Sequence, residues 1–248
     1  MIRCLLAERK EYQDIGVPSK LPDKRRLLRS LMNVRPPAPV SKEFLRAQDA
    51  YLQERLVQRG VTRLQDLTPV RPGLYLWQGD ITTLAVDAIV NAANSGMTGC
   101  YIPCHGCIDN AIHTYAGIQL RLECARIMAG QRGEEPVGQA KITKAYNLPC
   151  RYVLHTVGPM IEGAVTKTDR EQLSSCYRSC LDLAAANGLH SVAFCCISTG
   201  EFHFPNELAA QIAIETVRDW QRQNPDKIEV IFNVFKDSDR ELYKRLLG

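Results

Sequence analysis

From Leu74 to the C-terminus, short apolar segments alternate with amphipathic helical ones, and this alternation constrains the fold more than any other feature of the chain. Leu74-Tyr75-Leu76-Trp77, Ala85 to Val90, Gln139 to Ala145, Tyr152 to Val157, Ser191 to Ile197 and Lys227 to Phe235 read as strands. Ile108 to Met128, Glu171 to Asn187, Glu207 to Arg222 and Ser238 to Leu247 carry the three- and four-residue apolar steps of helices. Strands that are apolar on both faces need cover on both faces, so the expected class is α/β, with helices on either side of a sheet.

Residues 1–70 have a different texture. Leu27, Leu28, Leu31 and Met32 form a helical stripe that stops before Arg35-Pro36-Pro37-Ala38-Pro39, where prolines favour an extended connector. Ser41 is placed to cap a second helix whose apolar face, Phe44, Leu45, Tyr51, Leu52 and Leu56, is interrupted by Gln48. Such a face needs something to pack on. The expected organisation is a helical extension over 1–70 resting on a main domain over 71–248.

Charge follows the same division. Residues 1–70 hold 14 Lys+Arg against 8 Asp+Glu, and the remainder 17 against 19. The extension is basic, but its acids and its sparse aromatics suit a solvated helix face better than a nucleic-acid surface. No stretch approaches the roughly 20 apolar residues of a membrane span. Charged residues Glu8, Arg9 and Lys10 follow Met1 closely, so no secretory signal is expected. The ten cysteines are therefore expected to be free thiols in a reducing, cytoplasmic setting.

Four strand ends lead into polar loops. After the first, Asp80 offers acceptors to a ligand amine or caps the next turn. After the second, Asn91-Ala92-Ala93-Asn94 combines small residues with amides suited to sugar hydroxyls or to turn formation. Ser198-Thr199-Gly200-Glu201-Phe202 leads toward a helix near Pro205 and can present backbone N–H groups to a phosphate or serve as a plain connector. At the last strand end, Phe235 can stack on a base or close the core.

One loop carries metal-type ligands. Cys100, His105 and Cys107 offer two thiols and an imidazole, the donors zinc prefers, and Cys104 is a possible fourth. Pointing the adjacent Cys104 and His105 at one ion is awkward, and three protein ligands would leave a position open for water or substrate, as in catalytic zinc sites. Asp109, in the first turn of the following helix, could cap that helix or orient a water.

Gly79-Asp80-Ile81-Thr82, Val86 to Asn94, His155-Thr156-Val157-Gly158-Pro159 and Ile197-Ser198-Thr199-Gly200 together resemble the macrodomain signature, in its order, over residues 74–248. Most macrodomains carry a glycine run after the Asn-Ala-Ala-Asn motif; Cys100 to Cys107 replaces it here. With the extension, whose residues 27–37 are also similar, this resembles the zinc-containing macrodomains, which are protein ADP-ribosyl hydrolases. The resemblance implies a three-layer α/β/α sandwich with a mixed central sheet. It also implies one zinc ion on Cys100, His105 and Cys107. Asp80 and Ile81 would hold adenine, Ser198, Thr199, Gly200, Glu201 and Phe202 the diphosphate, and Phe235 would lie at the adenine. Asn94 would meet the distal ribose, and Asn94 and Asp109 would orient the reacting groups. The expected partners are ADP-ribose and a mono-ADP-ribosylated protein, acted on by a monomer. Two other activities fit the same pocket: non-catalytic reading of ADP-ribose, and deacylation of O-acyl-ADP-ribose.

Overall fold

The computed structural model describes residues 1–248. Three helices form the extension: α1 (Ile2–Ala7), α2 (Leu21–Val34) and α3 (Lys42–Arg59). The Ser41 hydroxyl accepts from the Phe44 N–H at 3.1 Å and starts α3. The strands are β1 (Thr62–Arg63), β2 (Pro69–Arg71), β3 (Leu74–Gln78), β4 (Leu84–Ala85), β5 (Ala88–Ala93), β6 (Ala140–Lys144), β7 (Tyr152–Val157), β8 (Ser191–Phe194) and β9 (Glu229–Val234). The remaining helices are α4 (Ile108–Ala116), α5 (Ile118–Ala129), α6 (Lys167–Ala186), α7 (Asn206–Gln223) and α8 (Asp237–Leu247).

Seven strands make one mixed sheet in the order β2-β3-β9-β8-β5-β7-β6. The five inner strands run parallel, and the edge strands β2 and β6 are antiparallel to their neighbours. Ile89, Val90, Val153, Leu154, Val192, Ala193, Val230 and Ile231 are fully buried, as expected where both faces of a sheet are covered. Helices α6, α7 and α8 pack side by side, and α4 and α5 form a separate pair against β5 and β6. The α/β class and mixed sheet expected from the sequence are thus present. The sheet starts at Pro69, inside the segment assigned to the extension.

The extension has its own small apolar cluster, Leu5, Leu6, Leu28, Leu31, Met32 and Phe44, closed by Ile118 of α5. Arg121 of α5 fixes the junction. Its guanidinium donates to the carbonyls of Met32 (3.2 Å), Asn33 (2.6 Å) and Arg35 (2.6 Å) at the end of α2, and to those of Thr98 (2.7 Å) and Cys100 (3.3 Å). A cation on carbonyls left open by a helix C-terminus is favoured both by hydrogen bonding and by the helix dipole.

Several boundaries differ from the sequence reading. The helix expected over Ile108 to Met128 is two helices, broken at Gly117 with φ +95°. The break is completed from the extension: buried Gln48, which looked like an interruption of the α3 face, accepts from the Ile118 N–H at 3.0 Å. A β-carbon at Gly117 would lie 2.6 Å from the Gln48 amide, so glycine is required there. Helix α6 begins at Lys167 rather than Glu171, because Thr166 and Asp169 form a capping box. Strand β8 ends at Phe194, three residues before the expected end.

Candidate functional site

Strands β3, β9, β8 and β5 are consecutive in the sheet and parallel, so their C-terminal ends, with the four polar loops, share one edge. In open α/β sheets this edge is where ligands bind.

Asp80 follows β3 and does cap: its Oδ1 accepts from the Thr82 N–H (3.0 Å) and hydroxyl (2.6 Å). Its Oδ2 accepts from Arg59 of α3 at 2.8 Å. Arg59 also donates to the Thr82 hydroxyl at 2.6 Å and lies over the Tyr115 ring, 3.6 Å from its centre. A carboxylate has about four acceptor positions, so capping leaves room for a ligand amine. Ile81 buries its side chain in the core, leaving only its backbone to face a ligand.

Asn91 lies within β5 and is fully buried, not in a turn as the sequence suggested, because β5 continues to Ala93. Its Nδ2 donates to Asp109 Oδ1 at 2.8 Å and to His155 Nδ1 at 3.2 Å. His155 Nε2 then carries the proton facing Thr143 Oγ1 at 2.9 Å. Asn94 Nδ2 donates to Asp109 Oδ2 at 3.2 Å, and His113 Nε2 lies 3.5 Å from Oδ1. Asp109 therefore does not cap α4. That position is taken by Cys107, whose Sγ accepts from the Asn110 N–H at 3.4 Å, while Asp109 turns inward. Burial raises the Asp109 pKa to about 6, against the opposing influence of the Asn91 hydrogen bond and Arg121. Burial likewise holds His113 well below its ordinary range, so it is neutral. Gly99, with φ +85°, lets the loop pass over that imidazole; a β-carbon there would lie 2.7 Å from the ring.

Immediately before α4, donor atoms of Cys100, His105 and Cys107 all lie within 4.8 Å of one another. Cys100 Sγ and His105 Nδ1 are 3.6 Å apart. The other ring nitrogen of His105 faces Glu201 Oε1 at 3.5 Å, the carboxylate–imidazole arrangement that orients metal-binding histidines. Burial pushes the Cys107 thiol up to about 12. Two sulfurs and one imidazole in this arrangement fit zinc. Cys104 is outside the set: with φ +53° it points at the extension, 3.2 Å from Ser30 Oγ and 3.5 Å from the Arg26 carbonyl.

The loop after β8 is held by bonds from Phe204 N–H to the Ser198 carbonyl (2.9 Å) and from His203 N–H to the Gly200 carbonyl (3.1 Å). Ser198 is buried with φ +64° and an unpartnered Oγ, a strained position of the kind that clusters at binding sites. The N–H groups of Gly200, Glu201 and Phe202 have no intramolecular acceptor and are free to donate. Phe202 packs beside Ala93, Met97 and Val157. Helix α7 opens at Asn206, four residues after Phe202. Phe235 is 76% exposed; it does not close the core and stands free at the end of β9.

An α/β sheet with these polar loops at its carboxyl edge has the layout of a ligand-binding domain. The Macro domain family model matches residues 90–213, and the chain belongs to that family. A protein named protein-ADP-ribose hydrolase from Treponema medium is 57% identical, covering 100% of this chain and 97% of its own length. One of the same name from Staphylococcus aureus (strain MSSA476) is 50% identical, covering 98% of this chain and 92% of its own. Among solved structures, a Trypanosoma brucei macrodomain in complex with ADP-ribose aligns with TM-score 0.69 and 32% identity, over 88% of this chain and 95% of that one.

Proposed function

We propose that this chain is a zinc-dependent protein-ADP-ribose hydrolase, which binds ADP-ribose along the carboxyl edge of the sheet and releases mono-ADP-ribose from modified proteins. The observation that carries this reading is the junction of two chemistries on one loop. Asn94 and Asp109, 3.2 Å apart, lie beside a Cys100–His105–Cys107 donor set that begins six residues after Asn94. The full-length similarity to proteins named for this hydrolysis supports the reading. So does the likeness to a macrodomain solved with ADP-ribose.

In this account Asp80 accepts from the adenine amine, the exposed Phe235 ring stacks nearby, and the loop amides from Ser198 to Phe202 hold the diphosphate. Asn94 meets the distal ribose. Asp109 accepts a proton or fixes an oxygen at the bond to be broken, its geometry set from behind by Asn91. Cys100, His105 and Cys107 would hold zinc, which supplies Lewis acidity toward an oxygen of water or substrate. No helix of the chain is long and apolar enough to cross a membrane.

Asp109→Asn, which preserves volume, is the test that separates a hydrolase from a reader. ADP-ribose affinity measured by calorimetry should change by a few-fold only. Release from a mono-ADP-ribosylated protein should fall by about 100-fold or more, the ordinary worth of a positioned acid–base group. Wild-type protein that binds ADP-ribose and releases none would overturn the reading.

Arg59 is the extension's contribution to the adenine end. Arg59→Ala frees Asp80 Oδ2 and should weaken ADP-ribose binding by up to roughly 5-fold, about 1 kcal/mol for a partly exposed pair. Arg59→Lys should recover only part, since lysine lacks the planar fork that stacks on Tyr115 while reaching Asp80. An unchanged Kd in the alanine variant would reduce Arg59 to a tie between α3 and the sheet.

A further inference from the structure

Beside the metal-type loop a cavity of about 450 Å³ lies between the extension and α4. Arg25, Arg26 and Arg29 of α2 and Arg55 of α3 line it, with Tyr51 and Tyr115. None of these four guanidinium groups is paired with a carboxylate. Arg25 Nε is buried without any acceptor. Arg29 is held in place by Asn110 Oδ1 (2.7 Å) and the His105 carbonyl (2.9 Å), and Arg55 by Gln58. Four like charges around one concavity repel one another, and a concavity with low-dielectric walls focuses their field on any anion that enters. Arginine forks suit carboxylate oxygens bidentately, and the two phenol rings add faces for the guanidinium groups or hydroxyls for hydrogen bonding.

We propose that this cavity is a second substrate subsite, which binds acidic side chains of the ADP-ribosylated protein next to its modified residue. The assignment rests on the hydrolase reading above. Its location supports that occupant. Cys104 lines the cavity, while Cys100, His105 and Cys107 of the same short loop form the donor set, so the two sites share a wall. The protein part of the substrate leaves the ADP-ribose pocket at that end. Charge is complementary as well: the extension carries 14 basic residues against 8 acidic ones, and four of its arginines line this cavity. This also gives the extension a role beyond packing, in selecting among modified proteins.

The test uses two peptides with the same mono-ADP-ribosylated residue, one flanked by aspartates and glutamates and one by serines and glycines. Steady-state release is measured alongside peptide binding by fluorescence anisotropy. Wild-type protein should show a lower KM and tighter binding for the acidic peptide, with the advantage shrinking as salt is raised. Arg25→Ala with Arg55→Ala should raise that KM roughly 10-fold, the combined worth of two partly exposed charge pairs, at unchanged kcat. The neutral peptide should be unaffected. Arg26→Glu, at an exposed position, should weaken acidic-peptide binding too and guards against misfolding of the double variant. Equal handling of the two peptides, or loss on both alike in the variants, would overturn the subsite. Should neither peptide be cleaved, the hydrolase reading fails, and anisotropy alone decides whether the arginines hold acidic chains.

Discussion

Cys107→Ala is expected to strip the protein of zinc and to reduce ADP-ribose release by more than about 100-fold, beyond the range seen when only an outer-shell partner of a metal ligand is lost. Cys107 has two roles that a single substitution confounds. Its Sγ belongs to the three-donor set, and it also caps α4 by accepting from the Asn110 N–H. Losing the cap alone should lower stability by about 0.5–2 kcal/mol. Cys107→Ser keeps an acceptor for the cap and removes the thiolate. It should therefore recover most of the stability and none of the metal. Cys104→Ala is the control: its sulfur faces Ser30 and the Arg26 carbonyl, so metal content and turnover should stay near wild type. Elemental analysis of the purified variants with release assays checks all three. Loss of zinc in Cys104→Ala, or retention in Cys107→Ala, would assign the ligands differently.

Arg121→Ala should be strongly destabilising. One guanidinium holds the last carbonyls of α2 and the Thr98 and Cys100 carbonyls that open the metal-type loop, and its alanine replacement leaves all five without that donor. Hydrogen bonds to a buried charged group are worth about 1.5–3 kcal/mol each before relaxation, so a net loss of at least about 3 kcal/mol is expected. The consequence is also local. The extension and the loop should open together, seen as joint loss of hydrogen-exchange protection over residues 21–35 and 98–107 while the strands stay protected. A denaturation midpoint close to wild type would mean the extension is held by its apolar contact with Ile118 and not by this residue.

What could be read from the sequence was what repeats or clusters along it. Near-continuous apolar strands specify a covered sheet, and Ser41 marks the start of α3. Cys100, His105 and Cys107 stand out by donor chemistry within eight residues. What escaped depends on partners distant in sequence. The break at Gly117 is invisible in a helical stripe because Gln48, about 70 residues away, completes it. Asn91 looked like half of a turn motif, yet it continues β5 and reaches Asp109 and His155 from inside the core. Asp109 stands where a helix cap is common, but the neighbouring Cys107 took that position. Arg59 and Arg121 were two among many charges, and nothing in their spacing indicates that one reaches Asp80 and the other α2. Phe235 could not be assigned from composition, since exposure of one ring is decided by where β9 ends.

If Cys100, His105 and Cys107 hold the zinc that hydrolysis needs, metal content and activity should rise and fall together. The most direct measurement is release of ADP-ribose from a mono-ADP-ribosylated protein before chelation, after a strong zinc chelator, and after zinc is restored, with metal content followed alongside. Release should fall with zinc and return with it, while the protein stays folded throughout. Full release from the zinc-free protein would contradict that requirement.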